Sequence, residues 1–320
     1  LIKELGYQNL WALHRPQDVA EKASQFLTDK PLTPFFLKIG FEYPHRDENG
    51  RFKQAPPDVS LGVEVPPYLP KTPEAEMEFA EFQGVIKAMD EAVGQIWSAL
   101  AQSGLLSNTW VIFTTDHGIA MPFAKCTLYD AGIETALIMY AEPFGLTGGK
   151  IIYDLISNVD LVPTILEMLD IDLPSNLQGQ SFANVLREKP YQSRDEIFVE
   201  KTFHTAYEPQ RAIRTKRYKL IWNVEAGIIN VPGDVMRSPI YPQVINQVVK
   251  ERPTFELYDL EVDPLEQNNL ADNLHYIEIF DNLRQHLLNW MKDTQDPIIK
   301  GPLASPFFDQ GKNSLIEPGE

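Results

Sequence analysis

Asp116, His117 and Lys125 are the residues of this chain whose types and spacing most directly suggest chemistry. A carboxylate and an imidazole stand side by side, and an ammonium group follows within one short loop. Oxygen and nitrogen donors beside a lysine suit a divalent metal that holds a tetrahedral oxyanion. The plainer reading is a strand end finished in polar residues, with Lys125 at the surface. His45 closes a second apolar run in the same manner, in Glu42-Tyr43-Pro44-His45. It fits either a ligand or an ordinary core or surface histidine.

Such groups need a rigid element to present them. Trp110 to Thr115 is rich in β-branched and aromatic residues and reads as a buried strand. Polar groups at the carboxyl end of a strand sit where open α/β sheets place their ligands. Gly118 allows a sharp turn directly after them. Phe35–Phe41 and Thr135–Tyr140 read as two further buried strands. Pro16 to Lys30 predicts a helix with Val19, Ala23, Phe26 and Leu27 on one face. Thr72 and Pro73 open a long helix, where Phe79, Phe82, Ile86, Met89, Val93, Ile96 and Leu100 form one stripe before Gly104 stops it. Ser157–Asp160 can cap another helix running to about Leu169. The polar stretch 46–71 is broken by Pro56, Pro57, Pro66, Pro67 and Pro70 and predicts a long loop lining or covering a site.

Near residue 190 the pattern changes. Short strands around residues 197, 212, 220 and 257 are close enough in sequence to pair as an antiparallel sheet. Residues 224–254 read as a long mixed insertion and Leu274–Met291 as a closing helix. The tail from Asp296, with Pro297, Pro302, Pro306 and Pro318, reads as an extended wrap or a loose end. The expected fold class is therefore α/β: strands 35–41, 109–115 and 135–140 in a mixed or largely parallel sheet flanked by helices, then a smaller antiparallel part.

Composition removes some functions. With 28 basic and 45 acidic residues the net charge is −17, so no basic footprint for nucleic acid is present. An anionic small substrate stays possible, because a pocket can be positive within an acidic protein. Cys126 is the one cysteine, which leaves no intrachain disulfide. No apolar run reaches membrane-spanning length. The chain begins at Leu1 without methionine, as a fragment or processed form does.

Taken in order, these motifs resemble the sulfatase family of the alkaline-phosphatase-like superfamily. The matching pieces are Phe35 to His45, the run Val111-Ile-Phe-Thr-Thr-Asp116-His117-Gly118, Lys125 ahead of Tyr129-Asp-Ala-Gly-Ile133, and Asn158 to Leu166. Gln178-Gly-Gln-Ser181, Arg211 to Thr215, Arg217 to Leu220 and Glu256 to Asp272 extend the likeness to about residue 290. His204, the Arg211 strand and the loop with Ser238-Pro-Ile-Tyr241 are most similar to the heparan N-sulfatase (sulfamidase) branch.

The resemblance implies an α/β/α sandwich over residues 1–190, as the C-terminal portion of the catalytic domain, and an α+β subdomain over 191–320. It implies hydrolysis of a sulfuric ester or sulfamate on a sulfated sugar or glycosaminoglycan-type glycan, in a secreted, periplasmic or lysosomal protein. Asp116 and His117 would lie in the shell of one calcium ion. His117 and Lys125 would also act on the sulfate and its bridging oxygen. His45 would bind the sulfate or the leaving-group oxygen, and His204 would touch the sugar. The chain departs from the family in lacking a Cys/Ser-x-Pro-x-Arg motif for formylglycine and the paired aspartates that accompany it. In the family these parts precede the segment that begins at Leu1, so the chain alone is expected to be inactive. Two alternatives stand beside this reading: a non-catalytic relative that binds sulfated glycans, and a phosphodiester or phosphonate hydrolase of the same superfamily.

Overall fold

The protein is described from a computed structural model that covers residues 6–227, 230–248 and 251–305, with Phe308 and Lys312. The first half is built around two helices, α1 (Pro16–Thr28) and α2 (Pro73–Gln102). Thr72 caps α2 by accepting the Ala75 N–H at 3.3 Å, and Pro73 needs no such acceptor. The helix ends in a Schellman turn. Gly104 sits at φ +76°, its N–H bonds Ala101 O, and the Leu105 N–H reaches back to Leu100 O. One stretch of α2 buries Phe79, Phe82 and Val85 against Phe52 and Met121. Its far end packs Ala99 and Leu100 against Leu27 of α1.

The strands of this half differ from the expectation. β1 (Val111–Thr114) and β2 (Leu137–Tyr140) form a two-stranded antiparallel pair, with Val111 opposite Tyr140 and Thr114 opposite Leu137. Among the described residues no parallel ladder forms. Neither strand is fully buried, and Ile138 is 64% exposed. The segment 35–41 is not a strand. Its residues alternate between half-buried and exposed, as a strand's would, but no neighbouring chain supplies a ladder. Phe35 and Leu37 instead pack into the cluster between α1 and α2. The apolar pattern was real; the pairing that turns such a run into a strand was not written in it.

The connection from β1 to β2 carries the candidate residues and a one-turn helix, α3 (Asp130–Ile133). A 3-10 turn at Asn158–Asp160 then leads into α4 (Leu161–Met168), and α5 (Ala183–Leu186) follows.

The second half holds β3 (Glu196–Phe203), β4 (Tyr207–Thr215), β5 (Tyr218–Asn223) and β6 (Phe255–Asp259). They pair in that order as a four-stranded sheet, every neighbour antiparallel. Successive side chains point to opposite faces, so the sheet has two apolar sides. Ile213, Leu220 and Leu257 meet Leu283, Leu287 and Met291 of α8 (Ile277–Asp293). Ala212, Ile221 and Tyr258 meet Leu128 and Tyr129 of the β1–β2 connection. The insertion between β5 and β6 contains α6 (Gly233–Met236) and α7 (Tyr241–Val248). It turns back to the first half, where Ile240, Tyr241, Val244 and Val248 join the Phe52–Phe79–Phe82 core.

The start of the tail is anchored rather than loose. Asp296 accepts the Ile298 N–H at 3.0 Å at the head of a 3-10 turn, Pro297–Lys300. Its other contact is Arg211 of β4, at 3.0 Å from Nη2. Pro306 and Pro318 lie outside the described residues.

The side chains of Arg211 and Asp296 are 2% and 3% exposed. Burial pushes the Asp296 carboxyl up, but the Arg211 hydrogen bond, the Ile298 N–H and the Arg211 charge outweigh it and hold it below the usual range. A carboxylate with a depressed folded value contributes stability above its unfolded value and loses it as pH falls through the folded one. Asp296→Ala is therefore expected to cost about 3–5 kcal/mol at neutral pH, as for one partner removed from a buried pair. The penalty should narrow as pH falls below about 3.9, where Asp296 of the unfolded chain takes up its proton while the folded carboxylate still resists it. Urea unfolding of both proteins from pH 7 down to pH 3 checks this, and a penalty that stays constant with pH contradicts the ionised pair.

Candidate functional site

The antiparallel pairing of β1 and β2 makes residues 115–136 a long hairpin connection, and this loop is the floor of the candidate site. It is held open and in place by close backbone packing. A Cβ on Gly118 would lie 1.9 Å from Ala131 O, and one on Gly132 would lie 2.4 Å from Ala124 O. The Gly118 N–H bonds Gly132 O at 2.9 Å. Glycine is required here for close approach of two backbone segments, rather than for the turn that its place after His117 suggested.

Asp116 and His117 stand at the start of this loop. Asp116 Oδ1 accepts the His117 backbone N–H at 3.0 Å, and its side chain is 90% exposed. His117 Nδ1 lies 2.7 Å from Gly118 O. A carbonyl only accepts, so Nδ1 carries the proton and Nε2 is the free nitrogen. That Nε2 is 3.9 Å from Asp116 Oδ2, so the two groups face the same space. Among the described residues, no group of three or more His, Cys, Asp or Glu side chains is gathered closely enough to hold a metal.

Lys125 is not the surface lysine of the plainer reading: its side chain is 5% exposed. It follows Phe123, whose φ is +63°, by two positions, and its backbone N–H bonds Ile119 O. Nζ is 3.2 Å from His45 Nε2 and 2.7 Å from Asp234 Oδ2. His45 repeats the arrangement of His117, with Nδ1 2.8 Å from the Arg46 carbonyl and Nε2 left for the site. His45 and Lys125, which are 80 positions apart, are thus in direct contact.

Arg46 fixes the backbone of His45. Its fully buried guanidinium donates to Ala120 O at 2.7 Å, Gly50 O at 2.9 Å and Glu78 Oε1 at 2.6 Å. It also lies 4.2 Å over the Phe52 ring. Glu78 of α2 takes a further hydrogen bond at 2.6 Å from Ser238 Oγ in the insertion. The loop after His45, helix α2, the β1–β2 connection and the insertion therefore meet at one buried carboxylate.

His204 approaches from the β3–β4 turn. Burial lowers its proton affinity, the Lys125 charge lowers it further, Asp234 partly restores it, and Lys201 and His117 lower it again. These influences put His204 in the field of the same cluster. Lys201 sits nearby, donating at 2.8 Å both to Cys126 O and to Glu208 Oε2.

Asp234, Arg46 and Glu78 were not singled out from the sequence. Asp234 lies in the mixed insertion, four residues before the Ser238-Pro-Ile-Tyr241 motif, and nothing local marks it as a partner of Lys125. Arg46 follows His45 directly, which is the one signal available for it.

Comparisons with known proteins bear on the family and the fold. The sulfatase family model matches residues 6–171, and a model of the N-sulphoglucosamine sulphohydrolase C-terminal region matches residues 116–228. Human N-sulphoglucosamine sulphohydrolase is 27% identical over 325 aligned positions, covering 87% of this chain and 64% of that protein. An ulvan-active sulfatase of Formosa agariphila is 30% identical over 246 positions, covering 71% of this chain and 40% of that protein. The chain therefore spans less than two thirds of the length of either relative. A solved sulfatase structure from Bacteroides fragilis superposes with a TM-score of 0.66 at 22% identity, over 90% of this chain and 61% of that one, which shows a shared fold. With a family model covering the loop that bears Asp116, His117 and Lys125 and more than half of the sequence, the chain belongs to the sulfatase family.

Proposed function

We propose that this chain forms part of a hydrolase of sulfuric esters or sulfamates on sulfated sugars, and that Lys125 and His45 contact the sulfate group. The observation that carries the reading is the buried Lys125 ammonium, 3.2 Å from a histidine whose Nε2 faces the same space. An ammonium suits the charge on sulfate oxygens, and an imidazole beside it suits the atom that departs. His204, which enters from the other half of the chain, is assigned on this reading to the sugar. The match to the N-sulphoglucosamine sulphohydrolase C-terminal region supports an amino sugar as the carrier of the sulfate. On this reading residues 1–190 belong to the catalytic domain and 191–320 to the subdomain, with α7 reaching back across the division.

Asp116 and His117 are proposed as ligands of a divalent cation, with calcium the expected ion. Calcium takes roughly six to eight oxygens, and the Asp116 carboxylate offers two at most. These residues do not by themselves fit a calcium ion, so no step is drawn through the metal. None of the 320 residues forms the Cys/Ser-x-Pro-x-Arg motif from which the family makes formylglycine. No nucleophilic role is accordingly given to a residue of this chain. What these residues do is bind and orient: Lys125 holds the oxyanion, and His45 stabilises charge on the leaving atom.

Two measurements test the reading. The full-length protein that carries this chain, supplied with calcium, is expected to turn over a chromogenic aryl sulfate or an N-sulfated glucosamine. Binding of the sulfated sugar without turnover of either compound would favour the non-catalytic alternative. Lys125→Ala in the same protein is expected to lower kcat by roughly ten- to a thousandfold, the range for loss of one oxyanion contact. An unchanged kcat removes the role given to Lys125.

A further inference from the structure

Asp234 presents an electrostatic problem for an anion site. Its carboxylate lies 2.7 Å from the Lys125 ammonium and 3.8 Å from His45 Nε2, with 17% of its side chain exposed. A carboxylate beside a sulfate-binding lysine repels the sulfate, so its presence needs a compensating use. That use is visible in the geometry. Lys125 and His45 are two groups that each can bear positive charge, set 3.2 Å apart in a site where the lysine is almost fully buried. Lys125 donates to Asp234 Oδ2 at 2.7 Å, a charge-assisted hydrogen bond that fixes the ammonium and with it the hydrogen bond to His45 Nε2. One shared carboxylate in this way keeps both groups side by side.

The place of Asp234 is itself built rather than incidental. The neighbouring Val235 is 1% exposed. Arg237 Nη1 donates to Glu48 O at 2.7 Å, and Ser238 Oγ donates to buried Glu78 at 2.6 Å. A Cβ on Gly50 would stand 2.5 Å from Arg237 Cβ and 3.0 Å from Asp234 O, so only glycine lets the segment come this near the His45 loop. Burial pushes the Asp234 carboxyl up, but the Lys125 hydrogen bond and charge, the Val235 N–H and His45 bring it below the usual range, so it is ionised at neutral pH.

We propose that Asp234 is a positioning residue for the sulfate-binding pair: its carboxylate holds Lys125 and His45 together so that both address the leaving-group side of a bound sulfate. The proposal rests on the reading of Lys125 and His45 as sulfate contacts. It makes the insertion between β5 and β6 part of the active site, although the insertion brings no group that touches the sulfate.

Charge that builds on the departing atom needs most stabilisation when the leaving group is a weak acid. The test is a series of aryl sulfates from acidic to weakly acidic phenols, with the full-length wild type, Asp234→Asn and Asp234→Glu. Asp234→Asn is expected to lower kcat by about tenfold for the most acidic phenol and by roughly a hundredfold or more for the least acidic. Asp234→Glu should recover part of the loss. An equal loss across the series, or no loss, overturns the proposal, because a merely structural aspartate has no reason to distinguish phenols. If the wild type turns over no aryl sulfate, positioning is decided by a crystal structure of Asp234→Asn, and if it turns over no N-sulfated glucosamine either, the reading of the activity fails. A Lys125–His45 contact that opens in that variant supports the proposal, and one kept at its wild-type distance overturns it.

Discussion

The ion pair between Arg46 and Glu78 is the interaction on which the rest of the site depends. Both side chains are fully buried. Taking two charges out of water costs several kcal/mol per ion, and only good geometry with every donor and acceptor filled offsets that. Here the filling is thorough. Arg46 spends its other hydrogens on Ala120 O, Gly50 O and the Met121 sulfur, and Glu78 spends its second oxygen on Ser238. Those partners come from three stretches of chain, at Gly50, at Ala120 and Met121, and at Ser238. The pair therefore acts as a junction, and the desolvation cost is what makes it specific: a displaced loop leaves a buried charge without a partner.

A second set of buried charges ties this junction to the C-terminal sheet. Asp130, late in the site loop, pairs with Arg214 of β4 and Lys219 of β5, and Lys219 also pairs with Glu266. Tyr129 Oη donates to Glu256 of β6 at 2.8 Å. The loop that bears Lys125 is thereby held at one end by Arg46 and at the other by the second half of the chain. His204 arrives on the tight turn between β3 and β4, whose ends are paired at Phe203 and Tyr207. Site geometry in this protein follows from seams between segments more than from any one element.

This explains what was legible in the sequence. Helix α2 was, because its stripe, its Thr72 cap and its Gly104 stop are local signals with local causes. The four short strands of the second half were, because β3, β4 and β5 are joined by short turns and every strand pairs with the next in sequence, even across the insertion before β6. The run 35–41 carried the composition of a strand and is not one, because pairing is supplied by a neighbour that a local pattern does not name. The antiparallel pairing of β1 with β2 was not legible for the same reason. Asp116, His117, Lys125 and His45 stood out by residue type at the ends of apolar runs. Asp234 did not, since its contact with Lys125 spans 109 positions and has no periodicity to announce it. The burial of Lys125 was equally invisible, because its partners His45 and Asp234 come from distant parts of the chain.

The register of β1 on β2 has a consequence for how this family can vary in length. Thr114 lies opposite Leu137, and the two mark the mouth of the site loop. Side chains alternate across a strand, so a slip of one residue turns every one of them to the other face. A single-residue deletion within β1 would leave its backbone hydrogen-bonding capacity nearly intact. It would nevertheless rotate Val111 and Phe113 out of their half-buried places and carry Asp116 around to the wrong side of the ribbon. Length polymorphism between such relatives should therefore be even-numbered or absent in the two strands, and free to accumulate in segments that cross no seam, such as the exposed stretch around Leu173.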